Sequence, residues 1–143
     1  MATTKKVTTK KTVANTYTYA IGRRKSAIAT VKLFKGKTEP QVNKMSFSKY
    51  FPSKTDELMY QKPFLITETK GKYYIESKVI GGGKAGQIEA LTLAISRALK
   101  KIDETFGPLL RTAGLLTVDS RVRERRMVGT GGKSRRQKQS PKR

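Results

Sequence analysis

The chain contains no cysteine, no histidine and no tryptophan. Without cysteine there is no disulfide framework and no thiolate metal site. Without histidine the usual general base and the commonest metal ligand are gone, together with every Ser–His and Cys–His pair. Acids are sparse: 10 Asp and Glu stand against 32 Lys and Arg in 143 residues, a net charge of +22. Those acids are scattered, none forms an obvious acid/base couple, and no catalytic constellation emerges. The sequence therefore predicts neither an enzyme nor a cofactor or metal site. No apolar run approaches the roughly 20 residues of a membrane span, and the N-terminus lacks the apolar stretch of a secretory signal. Hydrophobic residues make up 36%, below the usual share for a globular domain, so part of the chain is expected not to pack.

What is present is basic charge, unevenly spread. Residues 1–20 carry four lysines and no acid, and residues 120–143 carry ten cations with Glu124 as their one acid. Apart from Val122, Met127 and Val128, that last segment has nothing to bury. It offers too little apolar surface to offset the entropy of ordering. It needs a partner, and repeated Arg and Lys on a flexible chain suit a phosphate backbone. An anionic membrane fits less well, because neither arm has an amphipathic apolar face or an aromatic anchor; no membrane partner is predicted. The expected organisation is a disordered basic extension over 1–16, a globular RNA-binding domain over 17–119 and an extended basic tail over 120–143.

Tyr17, Tyr19 and Ile21 alternate with Thr18 and Ala20, the period of a strand, and Gly22 is read as its end. Arg23, Arg24 and Lys25 then form a basic turn. Residues 27–34 read as a second strand with Ala29, Val31 and Leu33 on one face, giving a hairpin. A short strand over 40–43, a short helix over 46–50 and a helix from the N-cap Ser53 to Tyr60 follow. Residues 63–67 read as extended, and 73–80, rich in β-formers, as a central strand. A helix is predicted over 84–103, because Ile88, Leu91, Ile95, Ala98, Leu99 and Ile102 recur at three- and four-residue steps. Glu89, Thr92, Ser96, Lys100 and Lys101 fall on its outer face. Pro108 opens a short helix closed by Gly114, and 115–118 read as a last strand. Phe47, Phe51, Phe64 and Phe106 read as core. The pattern is α+β, a sheet covered by helices on one face.

Three motifs bear on chemistry. Gly81, Gly83 and Gly86 match G-x-G-x-x-G after a strand and before a helix. Asp103 and Glu104 lie near the right distance for a ribose ligand, but at a helix end, and the chain is short for a dinucleotide enzyme. The alternative is a glycine turn that allows close backbone approach, its helix amides facing RNA phosphate or solvent. Gly132-Lys133-Ser134 ends like a phosphate-binding loop, yet position 127 is Met where that loop needs Gly, so the match fails. Arg23, Arg24 and Lys25 sit beside Tyr17 and Tyr19. Such a turn is either simply solvated or suited to phosphate contact and base stacking, and the overall charge favours RNA.

Taken together, these segments closely resemble the universal small-subunit ribosomal protein family numbered nine. The resemblance is carried by residues 19–33 with their G-R-R-K-S turn, by 81–99, and by 111–126 with the basic tail that follows. In the second segment Gly81, Gly82, Gly83, Gly86, Gln87, Ala90, Arg97 and Leu99 fall where the family signature wants them. The resemblance implies a small mixed β-sheet with helices on one side, of the ribosomal-protein domain-2-like type, including a left-handed β-α-β crossover. It implies a structural role in the head of the small subunit, bound to the 3′ major domain of its ribosomal RNA. The RNA-binding residues it implies are Arg23, Arg24, Lys25, Gly81, Gly82, Gly83 and Lys84 in the domain, and Arg121, Arg123, Arg125, Arg126, Lys133, Arg135, Arg136 and Lys138 in the tail. Lys142 and Arg143 would approach the anticodon-stem phosphates of the peptidyl-site transfer RNA. Neighbours would be ribosomal proteins numbered seven, ten and fourteen, in a cytoplasmic ribosome, with an organellar ribosome left open. The tail departs from the bacterial pattern: Thr130-Gly131-Gly132 dilutes its charge, and no aromatic precedes Lys142-Arg143. At about 3.3 Å per extended residue, residues 121–143 still reach roughly 75 Å. The rival readings are a free RNA chaperone without a fixed address and a cofactor enzyme using Gly81 to Gly86.

Overall fold

A computed structural model gives the fold of residues 17–126 and Val128. Its elements are β1 (Thr18–Arg24), β2 (Ala27–Lys35), β3 (Gln41–Val42), β4 (Met45–Ser46), α1 (Phe47–Tyr50), α2 (Lys54–Ile66), β5 (Tyr73–Ile80), α3 (Lys84–Ile102) and α4 (Phe106–Thr112). The strands form one mixed sheet in the order β1-β2-β5-β3-β4. β1, β2 and β5 are antiparallel neighbours, whereas β3 runs parallel to β5. The parallel pair is joined through α1 and α2, the crossover that parallel strands require. The class is α+β, as the sequence predicts.

Alternation in β2 and β5 decides which face is covered. Ala27, Ala29, Val31 and Leu33 on β2 and Ile75 and Val79 on β5 are buried, while Ile28, Lys32, Glu76, Lys78 and Ile80 between them are exposed. α3 lies across the buried face and contributes Ile88, Leu91, Ile95 and Leu99, all but inaccessible to solvent. Burying each such side chain is worth about 1.5–3 kcal/mol. Phe47, Phe51 and Phe64 join this core, and Phe106 packs against it half-buried, as expected.

Several sequence-based expectations are corrected. Gly22 does not end β1 but lies inside it. A Cβ there would collide with the Ala90 carbonyl oxygen and lie 2.7 Å from the Ala94 amide nitrogen, so the glycine lets α3 approach the sheet. The turn is consequently only Lys25 and Ser26, with Lys25 at φ 53°. Residues 63–66 are helical, not extended: α2 runs on through Pro63. A proline there removes the amide that would bond the carbonyl four residues back, which is that of Met59. The Thr92 hydroxyl, from α3, lies 3.3 Å from that carbonyl and also donates to Ile88 at 2.9 Å. Thr92 and Ser96 are therefore buried rather than outward, because α2 and α4 pack on the far side of α3. Ser96 meets its own need by donating to the Thr92 carbonyl. α4 starts at Phe106, two residues before Pro108. Residues 115–118 do not form a strand. Leu115 donates its N–H to Leu110, and Leu115 and Leu116 pack on the core beside α4 instead. β4 was not anticipated; Asn43 and Lys44, both at positive φ, turn the chain tightly enough for it to pair with β3.

Candidate nucleic-acid interface

Three segments far apart in sequence meet at the turn end of the β1–β2 hairpin. The first is the turn itself, with Arg23 and Lys25 exposed. The second is the glycine loop. Gly81 and Gly82 adopt φ 72° and 65°, a region costly for side chains. A Cβ on Gly81 would lie 2.5 Å from the Ser26 carbonyl oxygen, and one on Gly82 2.9 Å from Ala27 Cβ. Both glycines are thus required by close approach to the hairpin. Gly83, at φ −98°, caps α3, and a Cβ there would meet nothing within 4 Å; the first-turn amides of that helix have no partner within it. Gln87 pins the loop by donating to the Gly81 carbonyl at 3.0 Å and accepting from the Tyr50 hydroxyl at 3.0 Å. Lys84 turns towards α1: its ammonium donates to the Tyr50 carbonyl and sits 3.4 Å from the Tyr50 ring centroid, a cation–π contact.

The third segment is the start of the tail, and Arg24 holds it. The Arg24 guanidinium pairs with Glu89 on α3 and with Asp119 at 3.1 Å, and donates to the Arg121 carbonyl at 2.9 Å. Its side chain is only 14% exposed. Asp119 also accepts from the Arg121 backbone N–H at 2.9 Å and from its guanidinium at 2.7 Å. Those hydrogen bonds from Arg121, with the charges of Arg121 and Arg24 added, hold the Asp119 carboxyl well below the usual carboxylate range. The same pairing raises the Arg121 guanidinium further. Arg121 itself stays open to solvent at 87%. A short Asp119-centred knot thus directs the basic segment away from the domain beside the hairpin turn.

Arg23, Lys25 and Arg121 therefore stand near the glycine loop, and Arg123 and Arg125 follow, exposed, with Arg126 half-buried. Arg24 and Lys84 are at the same place but are engaged with protein groups. Lys133, Arg135, Arg136, Lys138, Lys142 and Arg143 lie outside the described residues. Tyr17 and Tyr19 are not beside the turn. They precede Arg23 on the same extended strand by six and four residues, roughly 20 and 13 Å.

Sequence reasoning missed four polar roles. Glu89, read as solvated, and Asp119 are the partners of Arg24. Arg97 donates to the Ile21 carbonyl at 2.7 Å and Lys101 to the Tyr19 carbonyl at 2.8 Å, so α3 closes the free edge of β1. The available signal for Asp119 was a lone acid between an apolar pair and a basic run.

The dinucleotide reading fails on topology. No strand follows α3 among the described residues, and Asp103 lies at the opposite end of this 19-residue helix from the glycine loop, about 28 Å away. A ribose ligand belongs at the tip of the next parallel strand. Among the described residues no group of three or more acids could hold a metal, and no helix is long and apolar enough to cross a membrane.

Comparison with known proteins agrees with the geometry. The family described as ribosomal protein S9/S16 matches residues 22–143. The small ribosomal subunit protein uS9 of Maridesulfovibrio salexigens is 43% identical over 116 residues, covering 81% of this chain and 89% of that protein. The protein of the same name from Leifsonia xyli subsp. xyli is 45% identical over 111 residues, covering 77% of this chain and 66% of its own length. The chain belongs to the S9/S16 family of ribosomal proteins, which is not a family of enzymes.

Proposed function

We propose that this chain, a member of the S9/S16 family, is a structural component of the small ribosomal subunit that binds ribosomal RNA in the head and sends its tail to the peptidyl site. The observation that carries this reading is the convergence of the hairpin turn, the glycine loop and the knotted start of the tail at one end of the domain. Arg23, Lys25 and Arg121 there are exposed, and guanidinium forks suit phosphate oxygens. Gly81 and Gly82 shape the loop, and Gly83 leaves the α3 amides accessible to a phosphate. Arg24 acts one step back by aiming the tail, and Lys84 by fixing α1 against the loop. The boundary of domain and tail falls at 119/120, immediately after the knotted aspartate.

Beyond it, Arg123, Arg125, Arg126, Lys133, Arg135, Arg136 and Lys138 neutralise phosphates where RNA helices crowd. Phosphate contacts position without reading sequence. That suits a tail whose Lys142 and Arg143 must accept every transfer RNA. The RNA partner is the 3′ major domain, and the protein neighbours are those numbered seven, ten and fourteen.

The test is sedimentation of a tagged full-length copy through sucrose at moderately high salt. Stable co-migration with small subunits is expected. Release to the top, with general RNA affinity at low salt, would identify a free RNA binder. Removal of Lys142 and Arg143 is expected to leave assembly intact and weaken transfer RNA retention; normal retention by such subunits would sink the peptidyl-site role.

A further inference from the structure

The face of the sheet opposite α3 is uncovered among the described residues. Register puts its side chains in rows across β1, β2 and β5: Ile21, Thr30 and Lys78; Tyr19, Lys32 and Glu76; then the aromatic end, where Phe34 faces Tyr74. Gln41 pairs beside Glu76, and the tight turn after it places Asn43 and Lys44 at the rim. Asn43 fixes that rim by bonding the backbone of Val79 in both directions, at 2.9 and 3.0 Å. The result is a shallow trough bordered by Lys32, Lys44 and Lys78.

Its charge is unbalanced. Glu76 lies directly across from Lys32, yet no ion pair forms on this face among the described residues. That contrasts with Arg24, Arg97 and Lys101, each held by protein groups. At one end Tyr17, Phe34 and Tyr74 form a ladder, with centroids 5.4 and 5.1 Å apart. Tyr17 and Tyr19 remain 46% and 44% exposed, and the Lys32 ammonium lies 5.0 Å from the Tyr17 centroid. A lysine-lined trough running into exposed aromatic rings is what an unpaired nucleic-acid strand uses: cations for the backbone, rings for stacked bases. Beside Ile21 the middle rows of the face are Thr, Lys, Glu and Gln, and the exposed Ile28 and Ile80 sit apart at its hairpin-turn end, so the trough itself is too charged for the desolvated centre of a protein–protein contact.

We propose that this open face is a second RNA-binding surface, taking a single-stranded segment of ribosomal RNA across Lys32, Lys44 and Lys78 with a base stacked on Tyr17 or Tyr19. This rests on the ribosomal reading above. It gives the domain a second RNA contact, along the sheet from the hairpin turn, so the protein ties two RNA segments together.

The experiment is a lysine-acetylation footprint of the full-length protein, free and within purified small subunits, repeated after limited ribonuclease digestion. Lys32, Lys44 and Lys78 are expected to be protected about fivefold or more in the subunit and to regain reactivity when the RNA is cut. Protection that survives digestion identifies a protein on this face and overturns the proposal. Full reactivity in subunits that contain the protein also overturns it, and leaves the ribosomal reading standing. Failure of the protein to enter subunits at all removes that reading, and this inference with it. A variant carrying both Tyr17→Ala and Tyr19→Ala supplies the second readout: affinity of the otherwise intact protein for oligouridylate should fall about fivefold or more, and an unchanged affinity removes the stacking role.

Discussion

The two faces of the β1–β2–β5 sheet are built from the same three strands by simple alternation, yet they treat polar groups in opposite ways. On the α3 side every buried side-chain nitrogen or oxygen among the described residues has a partner. Thr92 donates to the Ile88 carbonyl and lies near the Met59 carbonyl that Pro63 left without its amide, and Arg97 and Lys101 answer the edge carbonyls of β1. On the other side Lys32, Lys44 and Lys78 make no ion pair among the described residues. The difference shows that the count of cations does not locate an interface in so basic a chain. What locates it is charge that the fold itself does not use. Arg23 and Arg24 make the point in neighbouring residues. Arg23 points to the open side and stays exposed; Arg24 points to the helix side and is consumed by Glu89 and Asp119.

The strongest way to break this contrast is to disturb the closed face. Gly22→Val would force a side chain into the backbone of α3 at Ala90 and Ala94. We expect a loss of more than about 3 kcal/mol, or no folded protein at all, measured as the urea midpoint. Gly83→Ala, where a Cβ meets nothing within 4 Å, is the matched control and should change stability by less than about 0.5 kcal/mol. Next in size is Thr92→Val. It keeps shape but removes the hydroxyl that the Ile88 and Met59 carbonyls share, and should cost about 1–3 kcal/mol. A neutral result would mean that the 3.3 Å contact contributes nothing.

At the junction of the two faces, Arg24→Ala and Arg23→Ala should separate. Loss of Arg24 frees the start of the tail, so amide exchange at Leu115 and Arg121 should quicken by about an order of magnitude. Loss of Arg23 should leave exchange untouched and weaken RNA binding. Equal effects of the two would erase the distinction. On the open face, changing Lys32, Lys44 and Lys78 together to Gln should leave stability within about 0.5 kcal/mol. The salt dependence of binding to single-stranded RNA should become shallower by about 0.7 for each lysine that touches phosphate. The same three changes at Lys49, Lys54 and Lys70, exposed but off this face, control for net charge.

Much of this was legible from the chain. Period-two and period-3.6 patterns placed β2, β5 and α3 nearly to the residue and found β1 without its end, because those elements each show one apolar face. The legible part ended where local signals were overruled by neighbours. Pro63 reads as a helix stop until α3 packs on α2 and brings the Thr92 hydroxyl, 29 positions along the chain, beside the orphaned carbonyl. Gly22 reads as a strand end until α3 is laid over it. Leu115 and Leu116 read as a strand, although no free sheet edge receives them. For the candidate interface, the hairpin and glycine loop were foreseeable as motifs. Their contact through Gly81 and Ser26 was not, nor was the withdrawal of Arg24, because pairing between distant residues leaves no periodic trace.

The smallest expected effects are those of pH, and they again divide the molecule. On the closed side, burial pushes the Tyr60 hydroxyl up to about 12. A folded-state value above the unfolded one means that its contribution is complete below about pH 10 and is lost as pH rises towards 12. Its ionisation should accompany unfolding rather than precede it, seen in absorbance near 295 nm. At the start of the tail the sign reverses. Asp119 is held below its ordinary value chiefly by the hydrogen bonds from Arg121, with Arg24 adding charge. Its contribution is therefore complete above about pH 4 and disappears only as pH falls through the depressed value. A carbon-detected titration should place the Asp119 inflection below the ordinary aspartate range, and Arg24→Ala should move it upwards by less than removal of the Arg121 side chain does. An Asp119 that titrates in the ordinary aspartate range would mean that the tail leaves the domain untethered, and that the closed side ends at α4.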